Sequence, residues 1–282
     1  MKVTILVDNT ALFDRYLIAE HGFSAFIEAD GCRVLFDTGY SDAVIRNAHQ
    51  LGIDLLHLDY IVLSHGHLDH TGGLYHLIRL FLGAVQEGRD HRLPQLIAHP
   101  HCFYPRPKPP LPDIGPMLTA EAITRHLLVN LISSPFPLSP NLIVLGEIKR
   151  THSFEVRSPG SRRIVMPDGT VTEDHILDDT ALACRTKDGL VIITGCAHAG
   201  ICTTITYARK VTHEERILDI VGGLHLLGKG MQLDGTLEFL RTVQPSSLHA
   251  CHCTSLGAKI SLAGVVSLKE TGVGLSLVYH DR

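Results

Sequence analysis

Residues 63–74 read Leu63-Ser64-His65-Gly66-His67-Leu68-Asp69-His70-Thr71-Gly72-Gly73-Leu74, with three histidines and one aspartate inside six positions. An apolar run, Tyr60-Ile61-Val62-Leu63, leads in, and a glycine pair leads out into a second apolar stretch. The first run predicts a buried strand, and Leu74 to Phe81 predicts a helix. This is a strand-to-helix turn loaded with ligand-type side chains, which points to an α/β chain. On an extended backbone, side chains two apart share a side, so His65 and His67 point together and both can hold one ion. Asp69 and His70 fall past the bend and suit a second ion. Two imidazoles beside a carboxylate–imidazole pair suit zinc, iron or manganese.

The rest of the composition narrows the function. The chain has 282 residues, enough for an ample core without disulfide staples, and it reads as a single domain over residues 1–282. A formal net charge of -4 gives no broad basic field, so nucleic acid is not an expected partner. The 19 histidines are an excess that metal binding would explain. The seven cysteines are odd in number, loosely spaced and free of CxxC pairs. They predict no disulfide framework and favour a reducing, cytoplasmic setting. No apolar run reaches the length of a membrane span, and the opening Met1–Asp8 stretch reads as a strand rather than a signal peptide.

Taken in order, strands are expected at residues 2–7, Phe23 to Glu28 and Arg33 to Phe36, the last two joined by an Asp30-Gly31 turn. A helix starts near Ser41, and a short strand covers Leu96 to Ala98. Residues 100–140 form a Pro-rich insertion, either a surface excursion or a lid, with a helix from Thr119 to Leu128 ended by Ser134-Pro135-Phe136-Pro137. Strands resume at Leu142 to Leu145, Arg163 to Met166, Ala181 to Arg185 and Leu190 to Thr194. The last runs into Gly195-Cys196-Ala197-His198 and a helix from Ala199 to Arg209. Ile217 to Val221 ends in Gly222-Gly223-Leu224-His225, and Asp234 is expected to cap a helix running to Val243. Leu248 to Cys251 ends in His252-Cys253-Thr254, followed by a helix to Leu268 and a strand from Gly274 to Tyr279. Polar residues and glycines at strand ends are where α/β folds build sites.

The stretch His65-Gly66-His67-Leu68-Asp69-His70 resembles the HxHxDH motif of the metallo-β-lactamase superfamily, and the resemblance covers nearly the whole chain in element order. It implies a four-layer αββα sandwich with a dinuclear site of divalent ions at one edge of the sheets, zinc foremost, with manganese or iron as alternatives. Asp37, at the end of an early strand, looks like the motif that orients the cradle without ligating. His252 looks like the last ligand, on the second ion with Asp69 and His70. His198 is expected on the first ion or near both, and His225 is either a ligand or a substrate contact. Many superfamily hydrolases carry a Gly-Asp pair whose carboxylate bridges both ions, whereas Gly195-Cys196 stands here. The bridge is then absent, replaced by Cys196, or supplied by Asp178 or Asp179.

The wider pattern resembles a subgroup called metal-dependent hydrolases of β-lactamase superfamily II. It includes archaeal enzymes that join a dihydropterin to an aminobenzene ribotide. The pattern adds Gly146-Glu147-Ile148-Lys149-Arg150, Phe154-Glu155, Asp178-Asp179, Gly222-Gly223-Leu224-His225-Leu226 and His252-Cys253-Thr254. The resemblance implies hydrolysis of a small ester or phosphoester through a metal-bound hydroxide, with Asp69 ligating and orienting the water. The alternatives are a transferase condensing a dihydropterin diphosphate with an aminobenzene ribotide, and a non-catalytic metal- or ligand-binding protein on the same fold. In the transferase reading Arg150, Arg106 and Lys108 meet phosphate, and otherwise they are solvated charges. Glu147 and Glu155 either brace the cradle by hydrogen bonds or lie on the surface. The partner is a small molecule, phosphorylated in the transferase case, and nothing in the sequence sets an oligomeric state.

Overall fold

Many strands of this chain bury both faces, which demands cover on both sides. A computed structural model describes residues 1–156 and 158–281. Its first half runs β1 (Lys2–Val7), β2 (Ser24–Ala29), β3 (Cys32–Phe36), α1 (Ala43–Gln50), β4 (Tyr60–Val62), α2 (Leu68–Thr71), α3 (Leu74–Gln86), β5 (Gln95–Ala98), α4 (Ala120–Thr124) and β6 (Leu128–Leu131). The second half runs β7 (Phe136–Pro137), β8 (Leu142–Val144), β9 (Arg163–Val165), β10 (Val171–Glu173), β11 (Ala181–Arg185), β12 (Leu190–Thr194), α5 (Ile201–Thr212), β13 (Ile217–Gly223), α6 (Met231–Val243), β14 (Ser247–Cys251), α7 (Leu256–Ala263) and β15 (Ser276–Val278).

The strands assemble into two large sheets, ordered β15-β1-β2-β3-β4-β5-β6 and β14-β13-β12-β11-β8-β7, with β9 and β10 as a separate hairpin. Alternation along the strands sorts side chains into three cores. Val34 and Phe36 of β3 join Val191 and Ile193 of β12 in the core between the sheets. Leu35 faces outward with Leu74, Leu77 and Phe81 of α3. Leu190 and Ile192 face outward with Ile201 and Ile205 of α5 and Leu240 of α6. The result is the four-layer αββα sandwich that the motif resemblance implied. Within each sheet, β3-β4-β5-β6 and β12-β13-β14 are parallel. The carboxyl ends of β4, β12, β13 and β14 therefore project their loops toward one edge. No helix among the described residues is long and apolar enough to cross a membrane.

Several boundaries differ from expectation. The helix expected at Thr119 to Leu128 stops at Thr124, and Leu128–Leu131 pairs in parallel with β5. An open edge beside β5 offers a four-residue ladder, which overrides helix propensity. Phe136-Pro137 is an edge strand on the second sheet, a position that tolerates proline. Residues 100–140 thus give an edge strand to each sheet. Within them, the Pro-rich stretch is tied to the cradle and to β9: Leu68 N–H donates to Ile114 O at 2.9 Å and Arg163 N–H to Pro107 O at 3.0 Å. Asp234 sits in the first turn of α6, with Gly230 at the cap position. Helix α7 ends at Ala263, well short of Leu268. The Asp30-Gly31 turn forms as expected, both residues at positive φ (52° and 76°), as a two-residue hairpin requires.

Ile193 is fully buried between the sheets. Ile193→Ala should cost about 2–5 kcal/mol through lost burial and a residual cavity. The expected readout is a lower urea midpoint with an unchanged slope.

Candidate metal centre

The cradle is held by a buried carboxylate. Asp37 follows β3 with φ 57°. Its Oδ1 accepts Ser64 N–H at 2.6 Å, and its Oδ2 accepts Ser64 O–H at 2.6 Å and faces His70 Nδ1 at 2.7 Å. His67 stays extended (φ −73°, ψ 147°) at the start of α2, so His65 and His67 do share a side, with ring centroids 4.5 Å apart. Asp69 and His70 then turn away on α2. Gly66 makes this possible, because a Cβ there would lie 2.2 Å from the Cys102 carbonyl oxygen.

One group of imidazoles gathers at His65, His67 and His198, with ring centroids 4.5–5.0 Å apart, and His225 stands 4.3 Å beyond His198. His67 Nε2 and His198 Nε2 are buried with no hydrogen-bond partner. Burial, with Arg106 nearby, pushes His67 down to about 3. Burial and neighbouring histidines hold His65 and His198 well below the ordinary range. All three rings are therefore neutral at pH 7; His65 Nε2 lies 2.9 Å from His67 Nδ1, and the bare nitrogens are His67 Nε2 and His198 Nε2.

The second group is His70, His252, Asp69 and Cys196. His70 Nδ1 faces the Asp37 carboxylate, so its proton sits there. His252 Nδ1 faces Asn9 Oδ1 at 2.9 Å, an oxygen that also accepts Gly22 N–H, so its proton sits on Nδ1 as well. The two Nε2 atoms then face one another across 3.2 Å. Asp69 Oδ2 adds negative charge, 3.4 Å from His252 Nε2 and 3.7 Å from His70 Nε2. Cys196 Sγ lies 3.3 Å from His70 Nε2. Lone pairs and a carboxylate converging in a buried space require a cation between them. Without a metal that cation is a proton: burial opposes charge, but Asp37 and Asp69 raise His70 to about 9. Burial likewise opposes the charge on Asp69, yet His70, His21 and His252 hold its carboxyl far below the usual range. The donor set fits divalent metal, with carboxylate–histidine contacts orienting the rings. Asp37, Ala197, His225 and His252 all take positive φ (57°, 53°, 47° and 48°), backbone strain concentrated where the strands deliver these side chains.

The expected residues do not all converge. Asp178 and Asp179 lie outside the ligand groups. Asp178 accepts Gly66 N–H at 2.7 Å and pairs with Arg106 at 2.6 Å. Asp179 accepts Ala199 N–H at 2.7 Å, and burial raises it to about 7. One oxygen of each carboxylate braces backbone, while Asp178 Oδ1 and Asp179 Oδ1 are buried with no hydrogen-bond partner, and Cys196 belongs to three of the ligand groups. Arg106 is neither a solvated charge nor a phosphate contact, since it is fully buried between Asp174 and Asp178, 2.6 Å from each. Arg150 donates to the carbonyls of His175 at 2.5 Å and His198 at 3.3 Å and lines a small cavity beside His198 and His225. Glu155 is buried at the start of α5, accepting Cys202 and Thr203 N–H at 2.8 Å, and does not touch the cradle. Glu147 stands 3.5 Å from His99.

Four contributors were missed by sequence reasoning: Asp8, which accepts His252 N–H at 2.7 Å; Asn9; His21, 3.1 Å from Asp69; and Cys253, half-buried beside His225. Asp8-Asn9 directly follows β1, and a polar pair at a strand end was the available signal. A cleft of about 760 Å³ opens over the centre. Tyr40, Lys108, Leu111, Ile114, Arg162 and Leu227 form its walls.

The protonation pattern predicts how the metal-free protein responds to pH. His65, His67 and His198 have lowered pKa values, so the unfolded chain binds more protons below 6.5 and stability falls as pH drops. Asp179, raised from 3.8 to about 7, opposes them with a single proton. His70, raised to about 9, contributes stability that is full below 6.5 and lost as pH climbs through 9. Urea unfolding of the chelator-treated protein at about pH 5, 7 and 9 should show highest stability at the middle value. A steady rise to the highest pH would contradict this assignment. Gly66→Ala should lower the melting temperature, since its Cβ meets backbone and not a movable side chain.

Comparison with known proteins agrees with this architecture. Residues 18–118 match the family model of the metallo-beta-lactamase superfamily. An uncharacterised protein of Methanocaldococcus jannaschii is 31% identical over 268 residues, 93% of each chain. The 7,8-dihydropterin-6-methyl-4-(beta-D-ribofuranosyl)-aminobenzene-5'-phosphate synthase of the same organism is 27% identical over 276 residues, 92% of this chain and 89% of that one. The crystal structure of Tm1679, a metal-dependent hydrolase of the beta-lactamase superfamily, superposes with a TM-score of 0.83 at 26% identity, covering both chains fully. Members of the superfamily bind divalent metals and are largely enzymes acting on small molecules. The chain belongs to the metallo-β-lactamase superfamily.

Proposed function

We propose that this protein is a metal-dependent hydrolase of a small ester or phosphoester, with two divalent ions, zinc foremost, as its cofactor. The observation that carries the reading is the convergence of His70 Nε2, His252 Nε2 and the Asp69 carboxylate, together with the unpartnered His67 Nε2 and His198 Nε2. In this reading His65, His67 and His198 hold the first ion, and Asp69, His70 and His252 hold the second. Divalent ions there would supply an activated water and Lewis-acid polarisation of a carbonyl or phosphoryl oxygen.

The chain's own residues supply the rest. Asp37 and Asn9 fix the tautomers of His70 and His252, and Asp8 fixes the His252 backbone. Asp69, with His21 against the same oxygen, is placed to ligate and to orient a water at the centre. Leu111, Ile114 and Leu227 form apolar walls that exclude bulk water, and Lys108 and Arg162 line the same cleft where an anionic group would sit. The volume suits a drug-sized substrate rather than a polymer.

A second reading is favoured by the 27% identity to the pterin-related synthase across nearly both chains. Here the same centre and the same cations would hold the diphosphate of a dihydropterin while an aminobenzene ribotide attacks. The discriminating experiment loads the protein with zinc, manganese or iron in turn. It measures turnover of phosphomonoesters, phosphodiesters, thioesters and lactones, and separately condensation of the pterin diphosphate with the ribotide. Hydrolysis without condensation is the expected result. Condensation alone would install the transferase, and a full metal complement with no turnover on any substrate would leave a binding protein. For a phosphorylated substrate, Lys108→Ala should raise KM about ten-fold with kcat little changed, as loss of uniform binding does.

A further inference from the structure

We propose that two thiols, Cys196 and Cys253, are ligands of this centre, with Cys196 common to both ion positions, and that they select a soft divalent cation, zinc, over manganese. This rests on the reading that the cluster holds divalent metal.

The placement of Cys196 is the first argument. It belongs to three groups whose ligand atoms all lie within 4.8 Å of one another: one with His65 and His198, one with His70 and His252, and one with His225 and Cys253. No other side chain in these groups is shared by more than two. One sulfur therefore lies between the two histidine sets, where a ligand must sit to serve both.

Cys253 is aimed at the same space. Its Sγ accepts the His225 backbone N–H at 3.2 Å and lies 3.7 Å from the Cys196 carbonyl oxygen. The sulfur rests on Gly223, where a Cβ would come within 2.6 Å of it. A side chain at that position would push the sulfur off its place. Cys196, His225 and Cys253 all line the cleft. The other five cysteines belong to none of the ligand groups.

Oxygen ligands are scarce by comparison. Asp37 spends both oxygens on Ser64 and His70, Asp178 and Asp179 each spend Oδ2 on backbone N–H, and Asp69 is the one carboxylate in the ligand groups among the described residues. A centre of imidazole and thiolate with a single carboxylate favours zinc, whereas manganese prefers oxygen. On ligation each thiol gives its proton to solvent, and the sulfur–metal bond replaces the sulfur–hydrogen bond.

Cobalt(II) titration of the metal-free protein tests the proposal without any substrate. Thiolate ligation gives an intense near-ultraviolet sulfur-to-cobalt band. The wild type should show it, Cys196→Ser and Cys253→Ser should each weaken it, and the double variant should lack it while still binding cobalt through its imidazoles. Cys32→Ser, distant from the centre, should leave it intact. In metal competition read by mass spectrometry, Cys196→Asp should move the zinc-to-manganese preference about ten-fold toward manganese. Should Cys196→Ser fail to fold, Cys196→Asp and the half-buried Cys253→Ser carry the test. A full cobalt complement without the band, or a band undiminished in both single variants, overturns the proposal and leaves the hydrolase reading standing. Failure to bind cobalt at all overturns both.

Discussion

The Asp37 carboxylate, fully buried and accepting from Ser64 N–H, Ser64 O–H and His70 Nδ1, is the contact on which the centre depends. It ties the end of β3 to the loop after β4 and so fixes where the cradle begins. It also holds a proton on His70 Nδ1, so that Nε2 is the nitrogen that faces the centre. Asn9 does the same for His252 from the end of β1. Two second-layer acceptors on two strands thus turn a pair of histidines into a pair of converging lone pairs. The positive φ values at Asp37, Ala197, His225 and His252 are the backbone strain of holding that arrangement, sustained by three packed cores beneath it.

The sandwich serves this geometry directly. Parallel strands within each sheet bring several carboxyl ends to one edge, and the loops after β4, β12, β13 and β14 each contribute a histidine there. The same logic explains why the buried Arg106 matters without touching metal. Flanked by Asp174 and Asp178, it places the Asp178 carboxylate under Gly66 N–H, which supports the turn between His65 and His67.

Much of this was readable in the sequence where the signal is local. The HxHxDH stretch, the two-residue hairpin at Asp30-Gly31, and strands at Ala181–Arg185 and Leu190–Thr194 stand where periodicity and turn chemistry put them. What escaped is set by partners far along the chain. Arg106 reads as a surface cation until Asp174 and Asp178, 68 and 72 residues away, enclose it. Asp8 and Asn9 acquire meaning only against His252, more than 240 residues away. Leu128–Leu131 had helical neighbours, and only the vacant edge of β5 makes it a strand. Asp179 reads as a spare ligand, and the contact its Oδ2 makes, to the Ala199 N–H in the turn that carries His198, was not readable from its position in the sequence.

The central claim is that the paired sets of histidines, joined at Cys196, are two cation positions and not a polar core. Anomalous diffraction at the zinc edge, from crystals of the protein grown with zinc, tests it most directly. The account predicts two peaks, one among His65, His67 and His198 and one among Asp69, His70 and His252. An absence of peaks at the cradle, or zinc bound only at surface histidines, would contradict it.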